Sequence, residues 1–351
     1  MNINAFSEVM SACRFCFMCR HLSAVGIVSC READTPRGRA LIADTVRLHP
    51  EKLADADFIE TIYRSDLSGA NRFHCDSYHD GKGYDEIGLQ LALRRDIVAA
   101  GVVPETVRKV AKELEDSAHW QLEGRADTLY FLDPATAGRP AVGAAVARVL
   151  GQAGIPFATL KGGCIGKALA VLGYEKEAKK AMQSFAEAVK ASGAKTLIVS
   201  NPAAAEALLR DFPAAGIELG VEVRFAAGYF AELAKAGRIR FRGTFGKASY
   251  LPSDYLKNYL KCGCAEELLA QLGVENLPFG TNAEESYTAA EGALVLNRLH
   301  PELVRAMAER IAGLAESGVK LLVASAHTAD ALAAAGADAM TLEEAAEAAL
   351  C

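Results

Sequence analysis

No run of about 20 apolar residues occurs anywhere in this 351-residue chain, so no membrane-spanning helix is expected. No basic block occurs either. Net charge is −6 with the two signs mixed, which argues against nucleic acid as a partner. The opening "MNINAFSEVMSACRF" lacks the basic start and apolar stretch of a secretory signal. The expected compartment is therefore the cytoplasm, with membrane association only as a peripheral protein held by a partner. The glycine-rich "LKGGCIG" lacks both the Lys-Ser/Thr of a phosphate loop and the dinucleotide fingerprint, so it reads as a tight turn. Asp133 and the Glu284-Glu285 pair have no evident partner in the sequence, which points to a solvated face and not to acid–base work.

Cysteine, by contrast, is plentiful. Nine cysteines in a chain with no export signal indicate metal or redox chemistry, not a disulfide framework. Cys13, Cys16, Cys19, Cys30 and Cys75 all fall in the first quarter. Residues 1–122 read as a helical domain. Thr35-Pro36 is a helix start and His49-Pro50 a stop, Gly101 ends a second helix, and "PETVRKVAKELEDSAHW" is a third. Beyond it, short apolar runs alternate with helical stretches, the pattern of a parallel α/β sheet. Strands are expected at "TLYFLD", "PFATL", "KTLIVSNP", "RIRFRGTFG" and "KLLVASAH". The likeness of "ASGAKTLIVSNPAAAEAL" to "ESGVKLLVASAHTADAL" suggests two duplicated halves, 123–238 and 239–351.

Residues 13–23, "CRFCFMCRHLS", carry the most specific signal. Three cysteines come in C-x2-C-x2-C spacing, and Ser23 stands where a fourth would complete a ferredoxin run. In two-cluster ferredoxins the fourth cysteine of each run ligates the other cluster. Laid over "RSDLSGANRFHC", the same spacing puts Ser65, Ser68 and Asn71 at the first three positions and Cys75 at the last. One cluster would thus keep Cys13, Cys16, Cys19 and Cys75. The other would need Ser65, Ser68, Asn71 and Ser23, and every thiol of that set is gone. A structural zinc site, or Cys30 in place of Cys75, are the competing readings. His21, His74 and His79 flank the ligands. Arg14, Arg20, Arg37 and Arg39 could offset a cluster's charge.

These residues, with "TPRGRA" and the "YHD" that follows Cys75, resemble the ferredoxin domain of the glycolate oxidase iron–sulfur subunit family. That family includes the anaerobic glycerol-3-phosphate dehydrogenase small subunit and heterodisulfide reductase D-type subunits. The remainder resembles their paired CCG domains with the thiols nearly all replaced. The equivalent positions hold Pro134, Cys164-Ile165-Gly166, Asn201 and Ala204 in one half, and Ser249, Gly280-Thr281, Ala326 and Ala329 in the other. The resemblance implies a ferredoxin-like helical domain followed by two degenerate CCG-like α/β halves. It also implies one [4Fe–4S] cluster on this chain. The FAD would sit on a partner, a dehydrogenase of the 2-hydroxyacid, glycolate or lactate type. Electrons would pass to an electron-transferring flavoprotein or a quinone-linked carrier. The alternative is a structural subunit whose cluster or zinc only stabilises the fold. Cys262 and Cys264 could join Cys164 at a metal, or Cys164 could be a small buried hydrophobe.

Overall fold

The computed structural model describes residues 1–13, 16–75 and 84–351. Its first third is helical. Thr35 caps the helix Pro36–Leu48 by accepting the Gly38 N–H at 3.1 Å, and Pro36 takes the first position, where an N–H would lack a partner anyway. The helix stops before His49-Pro50 as expected. Helices Ala56–Tyr63 and Glu86–Ala99 follow, the latter ending ahead of Gly101 at φ +72°. The helix expected at "PETVRKVAKELEDSAHW" is shorter than that, Glu105–Asp116. The chain turns after Asp116, and Trp120–Glu123 becomes strand β1, which spans the boundary drawn at 122/123.

Buried arginines lock these helices together. Arg64 grips Asp34 through three bonds of 2.9, 3.2 and 2.7 Å, and Arg39 pairs with Glu86. Arg94 donates to Ile62 O at 3.0 Å and Val171 O at 2.9 Å, which ties the helix Ala56–Tyr63 to the α/β region. Burial lowers the Arg94 pKa to about 10, still high enough to keep its charge near neutral pH.

Two sheets make up the rest, so the chain is α/β. The first contains β1, β2 (Thr128–Leu132), β3 (Phe157–Gly162), β4 (Thr196–Val199) and β5 (Glu222–Phe225), in the order β1-β3-β2-β4-β5. Only β1 is antiparallel, to β3. The second contains β6 (Gly246–Leu251), β7 (Val274–Asn276), β8 (Lys320–Val323) and β9 (Ala339–Thr341), all parallel, in the order β7-β6-β8-β9. Without β1 the two orders are the same. The two similar sequence segments fall on β4 and β8, which occupy equivalent places.

One expected strand is misplaced. "RIRFRGTFG" alternates Arg with Ile and Phe, but it makes only a single bridge, Phe241 to Leu350. Its Arg242 N–H donates to Ala349 O at 2.8 Å, so the segment holds the chain's far end. The buried strand starts at Gly246, where four successive residues, Ala248 to Leu251, lose their exposure. Helices cover the sheets. Phe131, Phe185 and Phe212 meet edge to face behind the first, with Trp120 against Phe131 and Phe185. Among the described residues no helix is long and apolar enough to cross a membrane.

Candidate functional site

Cys13 ends the short helix Ser7–Ala12, and Cys19 opens the turn Arg20–Leu22. Cys19 is buried, Cys13 and Cys75 are half-buried against the main apolar core, and Cys16 is exposed. Tyr84 lies near enough to both Cys13 and Cys19 for either thiol, if ionised, to add to the rise that burial gives its phenol. Burial pushes the Cys19 thiol up to about 11, against a hydrogen bond from the Arg37 backbone and the charge of Arg39. A metal bound there would have to displace that proton. Among the described residues no three Cys, His, Asp or Glu side chains are gathered closely enough to hold a metal as they stand.

The two cysteine-bearing loops nevertheless meet. His21, two residues after Cys19, places Nε2 2.9 Å from Nδ1 of His74, the residue before Cys75. The other nitrogen of His74, Nε2, lies 2.5 Å from the Glu284 carboxylate. A carboxylate only accepts, so a neutral His74 donates from Nε2 and accepts at Nδ1, and His21 is the donor between the rings. Glu284 therefore does have a partner, while its side chain stays 42% exposed, in keeping with the expected solvated face. Glu285 has one too, in Arg310 at 2.6 Å, but is buried, contrary to that expectation. The Cys75 turn is pinned further by Arg72, which donates to Asn258 O at 3.0 Å, and by Lys257, 4.9 Å above the Phe73 ring. His79, Arg14 and the "YHD" segment lie outside the described residues.

Two of the cations expected to offset cluster charge, Arg37 and Arg39, are already engaged. Arg39 is matched by Glu86, while Arg37 pairs with Glu32 at 2.6 Å and stacks over Phe17 at 4.4 Å. Cys30 is exposed at a left-handed helix end, its thiol turned back toward Ile27 O at 3.6 Å.

The four positions without thiols are deeply buried. Ser23 is 3% exposed, Ser65 0%, Ser68 4% and Asn71 3%. Ser23 caps the helix Ala24–Ser29, accepting the Gly26 N–H at 3.2 Å and donating to Asp34 O at 3.0 Å. The loop through Ser65 and Ser68 docks on the second half. Tyr259 donates to Leu67 O and Asn258 to Ser68 O, at 2.5 and 2.6 Å. Gly292 is required beside it, because a Cβ there would stand 2.5 Å from Leu67 O.

The positions that the sequence resemblance matched to CCG motifs come together in part. Pro134, Cys164, Ile165, Asn201, Ala204 and Ala326 line one cavity of about 620 Å³ between the halves, whereas Gly280 and Thr281 are exposed elsewhere. Cys164 is a buried thiol, raised by burial, whose Sγ accepts the Gly166 N–H at 3.3 Å. It does not join Cys262 and Cys264, which close on each other as a disulfide. Asp133 is also buried, capping Ala135 and Thr136 and bonded to Asn201 at 2.9 Å. The Asp-Pro directly after a strand was the sequence signal for that cap. Glu291, in the same cavity wall, carries no signal in the sequence. No family model, curated protein or solved structure matches the chain.

Proposed function

We propose that this chain is an electron-transfer subunit that holds one [4Fe–4S] cluster through Cys13, Cys16, Cys19 and Cys75, and that it belongs with the glycolate oxidase iron–sulfur subunit family. The observation that carries this reading is the His21–His74 hydrogen bond, which joins the loop of the opening triplet to the turn that presents Cys75. The donor set is four thiols in ferredoxin spacing, and three of them are at least half-buried. When bound, such a cluster takes up and releases one electron at a time.

The chain's own residues would hold and tune it. The Arg37 backbone hydrogen bond to Cys19 favours a negative sulfur, and the His21–His74–Glu284 relay fixes the Cys75 turn. Cys16 marks an open edge, and Phe17, Met18 and Phe73 stand exposed on the same two loops. Exposed apolar side chains around a solvent-facing ligand suit the docking of a redox partner. That partner is an FAD-dependent dehydrogenase, with an electron-transferring flavoprotein or quinone-linked carrier downstream. The two α/β halves, read as a degenerate duplication, serve as its scaffold. Their shared strand order supports that reading. The complex would work in the cytoplasm, peripheral to the membrane through its partner.

Anaerobic purification from the native cell tests this. The expected result is about four irons per chain, a paramagnetic signal on reduction and a co-purifying flavoprotein. A redox-silent metal, or zinc, would overturn electron transfer in favour of a structural role.

A further inference from the structure

A second site lies between the halves and does not depend on iron. In the first sheet β3 and β4 stand on opposite sides of β2; in the second, β7 and β8 flank β6 in the same way. Open α/β sheets bind ligands outside the carboxyl ends of their strands at such a reversal. Here the reversal of the first sheet opens on a cavity of about 620 Å³, and the second sheet reaches the same cavity through the loop after β8. Asp133 and Asn201 follow β2 and β4, and Ser325 follows β8. Glu291 reaches the end of β6, accepting from the Ser253 hydroxyl at 2.6 Å and the Asp254 N–H at 2.9 Å. The volume suits a small molecule, and Phe131, Leu114, Ile165, Leu294 and Val295 make much of the wall apolar.

The polar groups of that wall are nearly all matched. Lys167 lies 2.5 Å from Glu206 and 2.8 Å from Asp211, and Arg298 pairs with Glu113. Asp133 accepts from two backbone N–H groups, Asn201 and the Thr136 hydroxyl. His327 sits 3.1 Å from Ala289 O. Glu291 is the exception. It is 2% exposed, and its Oε1 makes no hydrogen bond of ordinary geometry among the described residues, although the nearby Ser325 hydroxyl favours its ionised form. The backbone around it is held in an unusual form, with positive φ at Ala289, Ala290 and Leu294, none of them glycine. Such outliers persist where the surroundings force them, and they gather at functional sites.

With Lys167 and Arg298 already neutralised, an anion finds no free counter-charge among the described residues of the wall, while an N–H donor finds an acceptor. We propose that the cavity binds a small, largely apolar amine as its ammonium ion, paired with Glu291. Burial holds the Glu291 carboxyl above the usual range, as befits an acid without a counter-ion; the ammonium would supply one.

Titration calorimetry on the full chain near neutral pH, with 2-phenylethylamine, 2-phenylethanol and 3-phenylpropanoate as probes, tests this. The amine should bind at least about tenfold more tightly than the alcohol, the difference of about 1.4 kcal/mol expected of one charged contact. The carboxylate should give no heat. Glu291→Gln should bring the amine down to the alcohol's affinity, and Ala204→Phe, which fills the cavity, should abolish both. The idea fails if the carboxylate or alcohol binds as well as the amine, if none of the three binds, if the amine keeps its advantage over the alcohol in Glu291→Gln, or if it still binds Ala204→Phe. The probe series on the unmodified chain decides the matter by itself should a variant not fold.

Discussion

Two sets of four positions, both marked out by ferredoxin spacing, have opposite fates in this molecule. Cys13, Cys16, Cys19 and Cys75 sit on loops at the edge of the helical region, graded from buried to exposed. Ser23, Ser65, Ser68 and Asn71 are all buried and built into the packing between the helices and the second α/β half. Buried polar side chains need partners. Ser23 finds one as a helix cap, while the loop carrying Ser65 and Ser68 gives its carbonyls to Tyr259 and Asn258. The pairing is incomplete. Asn71 Nδ2 and Asp66 Oδ2 remain buried without hydrogen bonds among the described residues. The thiol set is open at one edge, and the serine set is part of the packing.

The largest effect expected from this contrast is on iron. Cys75→Ser should lower the content from about four irons per chain to near zero, because a cubane held by three thiolates is lost in purification. Ser68→Cys should change neither the iron count nor the spectrum of the reduced protein. If the order were reversed, the assignment of the two sets would be wrong. Next comes the buried pair beside the serine set. Asp34→Ala leaves Arg64 only the looser carboxylates of Glu60 at 3.7 Å and Glu302 at 4.0 Å, and should cost about 3 kcal/mol in urea unfolding. A loss below about 1 kcal/mol would mean that the region is more open to water than the geometry implies.

A smaller effect separates the sets by pH. Burial raises the Asp66 carboxyl above its ordinary range, with Arg39 opposing. At low pH the group is neutral folded and unfolded, so it costs nothing. As pH rises through the ordinary carboxylate range the unfolded state ionises first, and stability falls until the folded pKa is passed. Asp66→Asn should remove that dependence. Its stabilisation over the parent should grow with pH toward the order of 1–2 kcal/mol, the scale of an unpartnered buried polar group. Melting temperatures of the two proteins at acid and neutral pH provide the check; parallel curves would show that Asp66 does not titrate abnormally.

Much of the architecture was legible because it is written locally. Thr35-Pro36, His49-Pro50 and Gly101 punctuate helices by their own backbone chemistry, and β2, β4 and β8 are apolar runs too short for helices. The edge strands β5, β7 and β9 have only three or four residues each and carry no comparable pattern. "RIRFRG" misled because alternation marks any half-exposed extended segment, whether or not it joins a sheet. The cysteine spacing pointed to two loops, and their approach appears as the His21–His74 contact. What no spacing could show was that Glu284, on the second half, completes that contact, or that Glu291 enters the cavity wall. Both depend on partners far along the chain.

The smallest expected effect is also the most discriminating between the two sets. Ser23 completes a four-member ferredoxin run by spacing, so by sequence alone Ser23→Cys restores a ligand beside Cys19. In the fold the Ser23 side chain caps the helix Ala24–Ser29 and bonds to Asp34 O. A thiol there would be a poorer cap, at a cost of about 1 kcal/mol by urea unfolding. Because its position belongs to the set without thiols, it should leave the iron count and the reduced spectrum unchanged. Combined with Cys75→Ser, it should fail to bring iron back. If the double variant regained about four irons, Ser23 would lie within reach of the cluster. The serines would then be a reserve of the same site, and the distinction between a retained and a vacated set would collapse.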